Sequence, residues 1–270
     1  MIIYPHAKIN VGLQVLQKRN DGFHEIETLI YPIDLVDVIE IKPAQQLQLF
    51  LYGLPVEGAL EDNLCMKAYS MLQADFHLPP VQLHLYKQIP AGAGLGGGSS
   101  DGAFVLKLLN DYFSLGIIEL QLEKYAARLG SDCPAMLYKR PLLATGRGEL
   151  LTPFEVDLSG LYMVVCKPSI FSSTAQAYAK TTPQKPKQPL REVLSLPVKM
   201  WKECIVNDFE AALFPEYPIL KEYKEKLYGF GALYASLSGS GSALYGIFES
   251  KELFMQARQY FLGEKTLVWG

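Results

Sequence analysis

Apolar and polar residues alternate over residues 2–16, which predicts a strand. In Ala7-Lys8-Ile9-Asn10-Val11-Gly12-Leu13 the alternation sets Lys8 and Asn10 on one face and Ile9 and Val11 on the other. A polar turn follows, Lys18-Arg19-Asn20-Asp21-Gly22-Phe23-His24-Glu25, with Asp-Gly at its tip. The strand-like runs Ile26 to Pro32 and Val36 to Ile41 come next, so the stretch reads as a hairpin. Leu64, Met66, Ala68, Tyr69, Met71 and Leu72 predict an amphipathic helix over 62–76, begun by Asp62 or Asn63. Val81, Leu83 and Leu85 alternate with Gln82, His84 and Tyr86 in a half-buried strand that ends near Pro90. Ala103, Phe104, Leu106, Leu108 and Leu109 return to helical spacing, with Ser99, Ser100 and Asp101 as capping candidates. A second amphipathic helix covers Ile117 to Leu129, and Gly130-Ser131-Asp132-Cys133-Pro134 ends it and starts a new element. Around residue 155 the texture changes, and Leu161 to Cys166 reads as a buried strand. Strands and helices do not alternate regularly, so the pattern favours α+β over a doubly wound sheet. The expected domains are 1–155 and 156–270.

Composition narrows the class. A chain of 270 residues can bury a large core, and nearly half of its residues are hydrophobic. The net charge of −3 gives no electrostatic call on nucleic acid or an anionic membrane. No run approaches the ~18 apolar residues of a membrane span, and the start of the chain is too polar for a signal peptide, so a cytoplasmic location is expected. Cys65, Cys133, Cys166 and Cys204 are scattered, and the four histidines show no His-x-x-x-His, which disfavours structural zinc and a disulfide framework. The Pro- and Lys-rich stretch from Thr181 to Pro189 predicts a mobile loop.

The chemistry concentrates in Pro90-Ala91-Gly92-Ala93-Gly94-Leu95-Gly96-Gly97-Gly98-Ser99-Ser100. Its glycines remove the Cβ atoms that keep a ligand from the main chain. Framed by a strand and a helix start, the loop offers free amides and the positive end of a helix dipole to a multiply charged anion such as a polyphosphate. The dinucleotide fingerprint wants an acid ending a second strand about 20 residues on, and that distance falls at Glu119 inside a helix. A Walker A loop needs Gly-Lys-Ser/Thr, and this one ends Gly98-Ser99-Ser100. A protein-kinase glycine loop joins two strands, whereas this one opens a helix.

That stretch resembles the central motif of the GHMP kinase superfamily, and its triple glycine before Ser-Ser is similar to the branch acting on 4-diphosphocytidyl-2-C-methyl-D-erythritol in non-mevalonate isoprenoid synthesis. Ala7 to Leu13 resembles the N-terminal signature, Gly130-Ser131-Asp132-Cys133-Pro134 the aspartate motif, and Ser238-Gly239-Ser240-Gly241-Ser242 the third motif. On the residues alone, Lys8 fits an edge-strand position and Asp132 a helix N-cap; the resemblance implies that they are catalytic. It further implies ATP binding by Pro90 to Ser100, and substrate binding by Asn10, Phe23, His24, Thr174 and Tyr178. Phe23, where tyrosine is more usual, would stack on cytosine, and His24 would hydrogen-bond it. Thr145-Gly146-Arg147-Gly148-Glu149 and Asn207-Asp208-Phe209-Glu210 resemble further family segments, the first read as a structural turn. The fold implied is an N-terminal ribosomal protein S5 domain 2-like domain and a C-terminal ferredoxin-like domain, with the site in the cleft between them. ATP and Mg²⁺ are the implied co-substrate and cofactor, with Ser99 or Ser100 as a metal ligand. Kinases of homoserine or mevalonate type, and a nucleotide-binding regulator without chemistry, are the alternatives; a homodimer is compatible with the sequence.

Overall fold

The computed structural model describes residues 1–264 and 266–270. The chain divides into two compact units that interleave in sequence: Met1–Lys8, Pro32–Ala91 and Gly96–Arg140 in the first, Ile9–Tyr31, Gly92–Leu95 and Pro141–Gly270 in the second.

The first unit is a mixed sheet with helices. Its strands run Ile2–Ile3, Val38–Pro43, Val81–Lys87, Gln48–Gly53, with antiparallel junctions except the last, which is parallel. Ile39 opposes Leu85 and Ile41 opposes Leu83, and all four are buried. A parallel pair needs a crossover, and the helix Leu64–Phe76 lies within it. Asn63 rather than Asp62 caps that helix, its Oδ1 accepting the Cys65 amide at 2.9 Å. The strand Gln48–Gly53 escapes the sequence reading because Leu49, Phe50, Leu51 and Tyr52 are apolar on both faces, which masks the two-residue period.

The glycine-loop helix spans Gly97–Tyr112, and its capping differs from expectation. The N-cap is Gly96, in the left-handed conformation (φ 73°), with no side-chain cap; Ser99, Ser100 and Asp101 lie inside the helix. A glycine cap lets the chain enter the helix from a turn closed to side-chain-bearing residues.

The second unit holds two sheets. One is built on residues 9–18 of the strand His6–Lys18, residues 24–31 of the strand His24–Val36, Leu142–Thr145 and Leu150–Pro153. The expected hairpin joins its first two strands, with Arg19 N–H bonded to the Phe23 carbonyl at 2.8 Å. The turn expected over Thr145–Glu149 joins the last two, with Thr145 closing the first of them, and Glu25 accepts the Gly146 amide at 3.1 Å. The other sheet is antiparallel in the order Tyr234–Leu237, Leu244–Phe248, Tyr162–Pro168, Thr266–Trp269. With the helices Pro218–Gly229 and Lys251–Gly263 it forms a β-α-β-β-α-β unit whose first strand is central and beside its last, the ferredoxin-like arrangement expected. Residues 181–189 form no regular element, and the Gln184 amide bonds the Val15 carbonyl at 3.0 Å.

The expected division after residue 155 follows chain order, and the compact units do not. Leu13, Val15 and Ile26 belong to one buried cluster with Phe209, Leu227, Leu237, Phe248 and Phe261. Backbone bonds stitch Leu13 to Val206 (3.0 Å) and Asp208 to Leu13 (2.8 Å), and the Asp208 carboxylate accepts the Val15 amide at 2.7 Å.

Candidate active site

In the first unit, Lys8 is 4% exposed, and a Cβ on Gly96 would lie 3.1 Å from its Cγ and 3.2 Å from its Cε. The lysine stem therefore packs closely against the residue that caps the glycine-loop helix, where the positive φ favours glycine. Burial pulls the Lys8 ammonium below the ordinary lysine range, and the negative charge of Asp132 pulls it back up. Asp132 is exposed and stands at the N-cap position of the short helix Cys133–Met136, yet its side chain makes no capping bond. The carboxylate is thus not consumed by the helix it precedes.

The Gly97–Tyr112 helix makes its first backbone bond from the Ser100 amide to the Gly96 carbonyl, at 2.8 Å. The amides of Gly97, Gly98 and Ser99 precede that ladder, as helix starts require. A Cβ on Gly98 would enter open space. The Ser100 hydroxyl is buried without a partner. Pro90 is buried and Ala91 exposed at the strand side of the loop.

In the second unit, Gly92, Ala93, Gly94 and Leu95 lie against the third motif. A Cβ on Gly94 would stand 1.9 Å from the Ser238 carbonyl oxygen, and the Ala243 amide bonds the Ala93 carbonyl at 3.0 Å. The Ser238 hydroxyl, fully buried, donates to the Gly94 carbonyl (2.8 Å) and accepts the Asn10 amide (3.2 Å). The Asn10 carbonyl accepts the Tyr245 hydroxyl (2.9 Å), and its side-chain amide donates to Thr28 (3.0 Å). Asn207 holds the same turn, donating to the Leu237 and Gly239 carbonyls at 2.9 and 2.8 Å. Ser238 and Asn207 fall in segments that the resemblance covers but were given no such bonds from sequence, and Tyr245 was given no role. Ser-Gly-Ser-Gly is common in turns, and a buried tyrosine in a strand looks like core.

Among the candidate base-binding residues, His24 and Tyr178 stack at 4.9 Å and 16°, and Tyr178 meets Phe209 edge-on at 4.8 Å. Thr174 shares a 2.8 Å hydrogen bond with Ser240. Phe23 is 54% exposed and carries the Arg147 guanidinium 4.8 Å from its ring centre. Arg147, read from sequence as part of a turn, thus presents a cation beside an exposed aromatic face.

Residues 63–140 match the family described as GHMP kinases N terminal domain, and residues 194–261 match GHMP kinases C terminal. The chain belongs to the GHMP kinase family. The 4-diphosphocytidyl-2-C-methyl-D-erythritol kinase of Bacteroides thetaiotaomicron is 48% identical to this GHMP kinase, with 92% of each chain covered. A crystal structure of 4-(cytidine 5'-diphospho)-2C-methyl-D-erythritol kinase matches it with a TM-score of 0.85 at 30% identity, over 100% of this chain and 97% of that one. The homoserine kinase of Cytophaga hutchinsonii shares the fold at a TM-score of 0.69 and 16% identity, over 99% and 93% of the two chains. The two-domain α+β fold expected for this GHMP kinase is the one found. Among the described residues no helix is long and apolar enough to cross a membrane, and no group of three or more His, Cys, Asp or Glu side chains is placed to hold a metal ion.

Proposed function

We propose that this chain transfers the γ-phosphoryl group of ATP to the 2-hydroxyl of 4-diphosphocytidyl-2-C-methyl-D-erythritol, giving ADP and the 2-phosphate, in the cytoplasm. The observation that carries the reading is the buried Lys8, packed on the glycine cap of the loop helix and in the field of Asp132. Phosphoryl transfer demands little covalent chemistry of the protein: it demands alignment and charge neutralisation. The unpaired amides at the start of the Gly97–Tyr112 helix and the backbone of Pro90 to Ser100 bind the phosphates. Asp132 accepts the proton of the acceptor hydroxyl, Lys8 balances the negative charge that develops beside it, and the hydroxyl oxygen forms its bond to the γ-phosphorus as the bond to the β-bridging oxygen breaks. Asn10, with its main chain held at both polar atoms, orients the acceptor.

The partnerless Ser100 hydroxyl is an oxygen donor of the kind Mg²⁺ takes, so the residues present fit that ion. Bound there with ATP, Mg²⁺ supplies charge neutralisation on the phosphates. Phe23 stacks on the cytosine, His24 hydrogen-bonds it, and Thr174 and Tyr178 line its pocket.

A coupled ADP-release assay with three acceptors tests the proposal. ADP release is expected with the cytidylyl methylerythritol and not with homoserine or mevalonate, and Phe23→Ala should raise KM for the former by about tenfold, the worth of one base–aromatic stack. Release driven by homoserine or mevalonate would overturn it.

A further inference from the structure

The sheet of the first unit has two edges, and they differ. One is the strand Ile2–Ile3, only two residues long. The other is Gln48–Gly53, which among the described residues pairs with Val81–Lys87 alone. Very short edge strands, charges and proline are the usual guards against edge-to-edge pairing. The first edge has one of these guards and the second has none: no Asp, Glu, Lys or Arg occurs from Ala44 to Val56, and no proline stands within the strand.

The main chain of this second edge is open. In a parallel ladder, alternate residues turn both of their polar groups to the neighbouring strand. The Leu54 amide reaches the Lys87 carbonyl at 3.0 Å, one residue past the Gly53–Lys87 pair, so Gln48, Phe50 and Tyr52 turn theirs to Val81–Lys87. The amides and carbonyls of Leu49 and Leu51 are left on the open side. Side chains alternate in the same rhythm: Leu49 is buried, whereas Phe50 and Tyr52 are 37% and 48% exposed on the outer face. Both rings stack on His84, at 4.8 and 6.0 Å, and the Tyr52 hydroxyl shares a 3.1 Å hydrogen bond with its Nδ1. The two aromatic side chains are thus held in place before any partner arrives, which lowers the ordering cost of binding.

Such an edge fits an added strand. We propose that the partner is a second copy of this chain, paired antiparallel through Gln48–Gly53 about a twofold axis at Leu51. In that register Leu51 opposes its own copy, and the two exchange both hydrogen bonds. Phe50 then falls opposite the partner's Tyr52, and Tyr52 opposite the partner's Phe50, so two aromatic cross-strand pairs close on the outer face. The two four-stranded sheets become one. The composition of the edge selects this occupant over a foreign peptide. An uncharged run gives a charged ligand nothing to pair with and gives its own copy nothing to repel, and the spacing of Phe50 and Tyr52 lets each meet the other across the axis.

The test is sedimentation equilibrium of the full chain, as wild type and as two double variants at these exposed positions, with circular dichroism to verify that each is folded. At up to about 100 µM the wild type should show twice the chain mass. Phe50→Lys with Tyr52→Lys sets like charges opposite each other in both cross-strand pairs, and should raise the dimer Kd by about tenfold or more. Phe50→Lys with Tyr52→Glu sets lysine opposite glutamate in both pairs, and its Kd should lie at least about tenfold below that of the first variant. A monomeric wild type, which would leave the edge to an extended peptide, would overturn the proposal. So would a dimer indifferent to both variants, or equal Kd values for the two. No ATP or acceptor enters this measurement, so its outcome is independent of the reaction assigned above.

Discussion

Lys8 is where a single side chain ties sequence to chemistry. Its alternation with Ile9 places it on one strand face, but only the structure shows that this face is buried and that Gly96 lies against the stem. Burial lowers its proton affinity and Asp132 restores part of it, so removing the aspartate charge must lower it further. In Asp132→Asn the Lys8 ammonium should titrate at lower pH than in the wild type, read from the Lys8 side-chain NMR shift; an unchanged or higher midpoint would separate the two residues. His6 gives a second residue-scale expectation. Burial, opposed by a bond to the Ala7 carbonyl, lowers its proton affinity, and its Nε2 is buried without a partner. The unfolded chain therefore binds more protons than the folded one just below about pH 6.5, and stability is lost as the pH falls. His6→Gln, which takes up no proton, should flatten that acid-side loss by about 2–4 °C in Tm.

At the scale of elements, the glycine loop shows why identical residue types carry different burdens. Gly94→Ala would drive a methyl group to 1.9 Å from the Ser238 carbonyl at a positive φ, and should destabilise the fold by about 1–3 kcal/mol or more. Gly98→Ala meets open space beside the unpaired amides; it should leave Tm within about 2 °C of the wild type while raising KM for ATP about tenfold or more. Equal effects of the two substitutions on Tm and KM would contradict this division. Much at this scale was legible beforehand: period-two runs gave Val81–Lys87 and the first hairpin, and period-3.6 runs gave Leu64–Phe76 and Glu119–Leu129. What was not legible has physical causes. Asp101 was read as a cap because short acids before helices usually are, but it pairs with Lys87, a contact fixed by packing rather than by local sequence. The Ser238 hydroxyl acts across 144 residues on Gly94 and 228 on Asn10, distances at which no local pattern speaks.

At the scale of the whole molecule, chain order and compactness part company. The C-terminal ferredoxin-like element buries Leu13, Val15 and Ile26 with its own core, and Asp208 binds the Val15 amide. A fragment beginning at residue 156 loses those contacts and exposes the apolar faces they covered, so its circular dichroism should lack a cooperative thermal transition; a sharp transition in the isolated fragment would show that it needs nothing from residues 9–31. The family assignment rests on nearly the full chain, and the account of catalysis rests on Lys8 and Asp132 acting at the head of the loop helix. Single-turnover phosphorylation of 4-diphosphocytidyl-2-C-methyl-D-erythritol by Lys8→Ala and Asp132→Ala, with ATP binding measured in parallel, tests that claim most directly. The account predicts phosphoryl transfer slowed by about 10²–10⁴-fold in each variant with ATP binding largely kept; transfer at the wild-type rate in either variant would contradict it.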